Sequence, residues 1–188
     1  MDFNEIMQNR RSVRDFEDKE VSTDLLKELV TTCTQAPNAS NRQQWKFLIV
    51  NSKEMMKKIS DASKAVMIAG IEGNPNSPMQ GYLETLKNEE FNVFYNAPAL
   101  VCFVGKIKQA TVSMDCALAA SYFMFSAVEK GLGTCWVAQG AEARDPDLLA
   151  ELGMPEGFRI WAPIIVGYPK SIPPMPERND PDILKIIE

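Results

Sequence analysis

Arg10-Arg11-Ser12-Val13-Arg14-Asp15-Phe16 and, twenty residues on, Ala36-Pro37-Asn38-Ala39-Ser40-Asn41-Arg42-Gln43-Gln44-Trp45 are the stretches on which the reading of this chain turns. The first gathers three guanidinium groups and a hydroxyl within five residues. Arginine forks match phosphate oxygens two bonds at a time. The second is a Pro-initiated loop of side-chain amides running into an apolar strand, and amides that both donate and accept suit the polar edge of a flat heteroaromatic ring. Together they point to a phosphorylated, ring-bearing ligand rather than to a metal or a serine triad.

The rest of the composition narrows the chemistry. A length of 188 residues with 45% apolar and 24% charged content is expected to form one domain with a substantial core. A net charge of −5 argues against nucleic acid as the main partner and sets the arginine cluster apart as a site for a discrete anion. The chain has no histidine, which removes Ser-His-Asp and Cys-His catalysis and His-ligated metals. Cys33, Cys102, Cys116 and Cys135 are widely spaced in apolar stretches and read as reduced core thiols. Neither a signal peptide nor a membrane-spanning run is visible, so the protein is expected in the cytoplasm, off the membrane.

Apolar periodicity predicts a short helix over 2–9, helices from 23 to about 34 and from 53 to about 68, and a further one over about 80–92. The long segment 112–130 is apolar on nearly every face, which predicts burial on all sides, in the core or in a subunit interface. Asp145-Pro146 opens a short helix to 152. Strands are expected over 45–50, 99–104, 134–138 and 159–167. Segment 70–81, rich in Gly, Pro and Asn, reads as a mobile loop and a candidate substrate lid, with Tyr82, Phe91, Phe94 and Tyr95 nearby. Beyond a Pro-rich arm the tail carries Ile183, Leu184, Ile186 and Ile187, which need a surface to bury against, such as a neighbouring subunit. Strands separated by helices, without a hairpin signal, make the class mixed α and β.

Neither a Walker sequence nor a GxGxxG follows a strand, so ATP hydrolysis and Rossmann-type binding are disfavoured. What remains resembles the nitroreductase family of FMN-dependent flavoproteins. The likeness rests on four segments in order: Arg10 to Phe16; Ala36, Pro37, Asn41, Gln43 and Trp45; Gly131-Leu132-Gly133-Thr134-Cys135-Trp136; and Ile164-Ile165-Val166-Gly167-Tyr168-Pro169 followed by Arg178. Asn38 and Gln44 depart from the family's usual Ser and Pro.

The resemblance implies an α+β, three-layer fold with a central, mostly antiparallel sheet flanked by helices, in an intertwined homodimer. It implies that Arg10, Ser12, Arg14 and Arg178 surround the FMN phosphate and ribityl chain, with Arg11 either beside them or in a structural salt bridge. Pro37, Asn38, Ala39, Asn41 and Gln43 would face a flavin across the dimer interface, and the backbone near Ala138 and Gln139 would face flavin N5. The implied reaction is ping-pong hydride transfer from NADH or NADPH through FMN to a small-molecule oxidant such as a nitroaromatic or quinone. No protein acid or base at one fixed position is required, because the flavin carries the hard chemistry. The alternatives are a flavin reductase, a dehalogenase or dehydrogenase on the same scaffold, and a flavin-binding protein without turnover.

Overall fold

The computed structural model describes residues 1–188. Four strands, β1 (Lys46–Val50), β2 (Ala99–Lys106), β3 (Gly133–Trp136) and β4 (Phe158–Gly167), form one sheet in the order β1-β2-β4-β3, with every neighbouring pair antiparallel. Helices α2 (Thr23–Cys33) and α5 (Val112–Glu129) cover one face, and α3 (Lys53–Glu72) and α6 (Pro146–Glu151) lie on the other. The short helices α1 (Phe3–Asn9) and α4 (Leu83–Lys87) complete the set. The expected three-layer helix–sheet–helix arrangement is thus present.

Strand β2 shows why both faces need cover. Ala99, Val101 and Phe103 enter the core under α2 and α5, while Leu100, Cys102 and Val104 enter the core under α3. A continuous apolar run is the signature of a strand buried on both sides. Alternation in β4 breaks once, at a bulge where the register passes from Phe103–Ala162 to Val104–Ile160. Trp161 is the extra residue, so Ile160 and Ala162 reach opposite cores although they are two apart. The Trp161 indole N–H donates to the Gly105 carbonyl at 3.1 Å, tying the bulge to β2.

Two expectations need correction, and a third, burial of α5 on all sides, is not met by the core of one chain alone. The helix placed over about 80–92 is a 3-10 turn at Gln80–Tyr82 and then α4, which stops at Lys87. Asn88 and Asn92 end it: each side-chain oxygen accepts a backbone N–H two residues on, from Glu90 and Phe94, and competes with helical bonding. The loop expected from residue 70 starts later, because α3 runs on to Glu72 to bury Ile71 against Leu83 and Leu86. Helix α5 is not buried on all sides within the chain. Met114, Leu118 and Tyr122, one turn apart, are exposed, beside the exposed Phe3 and Met7 of α1. The tail from 171 to 188 has no helix or strand, and Leu184 is 98% exposed.

The N-terminal segment lies against the β3–β4 end of the sheet. Ser12 bridges Thr134 in parallel, Phe16 bridges Pro169, and the Val13 N–H donates to the Thr134 carbonyl at 2.9 Å. This approach requires glycine at 133, since a Cβ there would stand 2.8 Å from the Val13 Cβ. Gly133→Ala should therefore destabilise the fold by about 1–3 kcal/mol, as overpacking does, and lower Tm by roughly 2–10 °C. Gly81→Ala, where a Cβ meets nothing within 4 Å, should stay within about 0.5 kcal/mol of the parent. Thermal melts of the two variants check this.

Candidate functional site

Segment 10–14 is extended, so successive side chains point to opposite sides. Val13 is buried, and with Arg11 it lines a recess beside Val128, Leu132 and Gly133, at the C-terminal end of α5. Arg11 donates to the Arg10 carbonyl and has no acidic partner, so the salt bridge considered for it is not formed. Arg10, Ser12 and Arg14 take the alternate positions, and all three act on the Cys135 thiol. Burial pushes that thiol above its ordinary range, while Arg14, Ser12 and Arg10 each pull it down. The Arg14 guanidinium also lies over the Tyr95 ring, 5.6 Å from its centroid.

Neither Arg10 nor Arg14 takes part in any of the chain's ion pairs. Two guanidinium groups without a carboxylate between them are a donor set that fits a phosphate monoester. Next to it is the 3-10 turn Ala138–Ala141. Gly140 lets this turn sit on the buried ring of Phe94, since a Cβ there would collide with that ring. Phe94 is followed in the chain by Tyr95, over whose ring the Arg14 guanidinium lies. The first N–H groups of the turn, on Ala138 and Gln139, lack acceptors within it and are available to a ligand. Phosphate donors beside open backbone N–H groups match what FMN would require.

The amide loop lies elsewhere. It folds into a short 3-10 turn at Ala39–Asn41, with Ser40, Asn41 and Gln43 at φ of 54°, 51° and 49°. Left-handed backbone at non-glycine residues costs about 1 kcal/mol or more each and persists only where surrounding bonds enforce it. Here the Asn38 side-chain oxygen accepts the Gln43 N–H at 2.9 Å, and Gln43 Nε2 donates to Asn41 Oδ1 at 3.2 Å. The Ala39 N–H donates to the buried carboxylate of Asp115, near the N-terminal end of α5, at 3.0 Å.

Within one chain the two candidate segments therefore sit at opposite ends of α5. From Asp115 to Val128 the helix axis covers about 20 Å. Arg10, Ser12, Arg14, Ala138 and Gln139 are brought together, and Pro37, Asn38, Ala39, Asn41 and Gln43 are brought together, but the two sets do not meet. Arg178 lies in the exposed tail and bonds to no residue of the chain. Asp115 had no role assigned from sequence, and Phe94 and Tyr95 were singled out only as aromatics near the candidate lid. Asp115 carried a signal, as the only acid within the apolar run 112–128. Tyr95 carried none, since its contact with Arg14 depends on φ of 53° and 52° at Tyr95 and Asn96.

Comparison with known proteins places the chain in a family. The family model described as the nitroreductase family matches residues 7–168. A protein of Archaeoglobus fulgidus that carries the provisional name NADH dehydrogenase/NAD(P)H nitroreductase is 27% identical over 175 residues, 91% of this chain and 87% of that one. An iodotyrosine deiodinase of Thermotoga neapolitana is 23% identical over 180 residues, covering 94% and 93% of the two chains. Among solved structures, a nitroreductase with bound FMN from Bacteroides fragilis superposes with a TM-score of 0.81 at 25% identity, covering 98% of both chains. The matched span takes in the arginine face, the amide loop and the 138–141 turn, and the chain belongs to the nitroreductase family.

Proposed function

We propose that the protein is a single-domain, FMN-dependent oxidoreductase that passes a hydride from NADH or NADPH to a small-molecule oxidant such as a nitroaromatic or quinone, working as a homodimer with FMN at the subunit interface. The observation that carries this reading is the face formed by Arg10, Ser12 and Arg14, whose cations lack carboxylate partners, beside the 138–141 turn. FMN, when bound, supplies the two-electron hydride chemistry in a ping-pong cycle. The chain's own groups bind and orient. Arg10 and Arg14 neutralise the phosphate, Ser12 offers a hydroxyl beside them, and the Ala138 and Gln139 N–H groups stabilise negative charge at the ring edge.

Dimerisation supplies the other half. The apolar stripe of Met114, Leu118 and Tyr122, with Phe3 and Met7 beside it, is suited to a second copy of the same helix. A two-fold association along α5 would carry the amide loop of one subunit across the 20 Å that separates it from the arginine face, a distance set by the helix rise, about 1.5 Å per residue. It would also give the exposed tail, with Arg178, Ile183 and Leu184, a surface to lie on. The match to an iodotyrosine deiodinase along most of both chains supports a second reading, reductive dehalogenation of a halogenated aromatic on the same site.

Anaerobic addition of NADH or NADPH to the FMN-loaded protein should bleach the oxidised flavin band rapidly; no bleaching with either nucleotide contradicts the proposal. Reoxidation of that sample by a nitroaromatic, a quinone or a halogenated phenol separates the two readings. Arg10→Ala and Arg14→Ala should each weaken FMN binding about tenfold to a hundredfold, because each removes a charge-assisted bond worth about 1.5–3 kcal/mol. Arg11→Ala, on the opposite side of the segment, should change it less than about threefold. Flavin fluorescence titration reads all three, and an Arg11→Ala effect as large as the others overturns the assignment of faces.

A further inference from the structure

We infer that Asp115 is a positioning residue for the amide loop: its buried carboxylate holds Ala39 so that Asn38, Asn41 and Gln43 are presented to the FMN of the other subunit. The inference deepens the proposed dimeric site and rests on it.

Asp115 is 3% exposed on a helix whose other buried positions are Val112, Cys116, Ala119, Ala120, Phe123 and Ala127. It has no cationic partner. One oxygen accepts the Ala39 N–H at 3.0 Å, and the other accepts the Thr111 hydroxyl at 3.2 Å. A carboxylate buried without a counter-ion is unfavourable, and its place in the first turn of α5 offsets only part of that. Capping alone does not call for it, because the neutral side chains of Ser22 and Ser52 cap α2 and α3. What distinguishes Asp115 is its other partner, 76 residues away in sequence, at the start of the most strained stretch of backbone in the chain.

The loop needs such an anchor. Ser40, Asn41 and Gln43 are all left-handed, and the other bonds that hold them there come from inside the loop. The Ala39 bond to Asp115 joins that internally braced turn to the core. A carboxylate makes a stronger bond to a backbone N–H than a neutral acceptor does, which suits an anchor working against strain. Because Ala39 and Asn38 are adjacent, a shift of Ala39 displaces the acceptor that fixes Gln43.

The test is a double-mutant cycle read by FMN affinity. Asp115→Leu removes the acceptor while keeping the volume. Ala39→Pro removes the donor at the start of a turn that follows an extended Asn38, where proline is tolerated. Asp115→Asn keeps an oxygen for the Ala39 N–H, and the Thr111 hydroxyl can reverse its role. Asp115→Leu and Ala39→Pro are each expected to weaken FMN binding about tenfold, the loss of one charge-assisted bond. The double variant should be no weaker than either single one, and Asp115→Asn should stay within about threefold of the parent. An Asp115→Leu protein that binds FMN as the parent does overturns the inference, as do losses that simply multiply. If Asp115→Leu does not fold, Ala39→Pro, which leaves the core intact, carries the test alone, and an Ala39→Pro protein that binds FMN as the parent does overturns the inference. A parent that takes up no FMN overturns the proposed function and this inference with it, whereas a parent that binds beside an unaffected Asp115→Leu overturns this inference alone.

Discussion

Val13 presses onto the bare backbone of Gly133, and that close contact sets the direction in which every neighbouring side chain of the N-terminal segment points. With Val13 buried and Ser12 bridged to Thr134, an extended chain has no choice but to send Arg10 and Arg14 to the side that Ser12 faces. Arg11 goes to the other side, beside α5. The arginine face is therefore a product of strand geometry: three alternate residues of one segment are held in register by an edge strand. The 138–141 turn belongs to the same frame, since β3 leads directly into it and Gly140 allows it to settle on Phe94.

Helix α5 sets the second constraint. It returns from the top of β2 to the bottom of β3, so its length is matched to the sheet. The two ends of that length hold the two candidate segments apart. Within one subunit the arginine face has no amide loop beside it. The exposed apolar stripe along the same helix supports the proposal that a second copy resolves this, because one association would bury Met114, Leu118 and Tyr122 and bring the two halves together.

Much of this was legible in the residues. Each strand was found within one or two residues of its place, because strands buried on both faces, such as 99–104, are continuous apolar runs bounded by turn residues. The even spacing of Arg10, Ser12 and Arg14 was visible too. Whether Arg11 joined them was not, because that depends on which parity faces β3. The helix expected over 80–92 was cut short by Asn88 and Asn92, whose side chains bond the backbone locally, and helical periodicity does not weigh that competition. The open face of α5 was hidden for the opposite reason: its apolar residues run all round, so the pattern has no polar side to mark what remains uncovered. The partnership of Asp115 with Ala39 is a contact across 76 residues and leaves no local trace.

In the proposed dimer each site is built from two chains, and a hybrid dimer separates that arrangement from one in which each chain works alone. One subunit carries Arg10→Ala and Arg14→Ala, and the other carries Asn38→Ala, Asn41→Ala and Gln43→Ala. FMN binding is then titrated for the hybrid and for each parent homodimer. If the arginine face and the amide loop that serve one FMN come from different subunits, the hybrid contains one site with every group intact. It should bind a single FMN tightly while both homodimers bind weakly. Binding by the hybrid no tighter than by the homodimers would contradict the account, because it would mean that each chain builds its site alone.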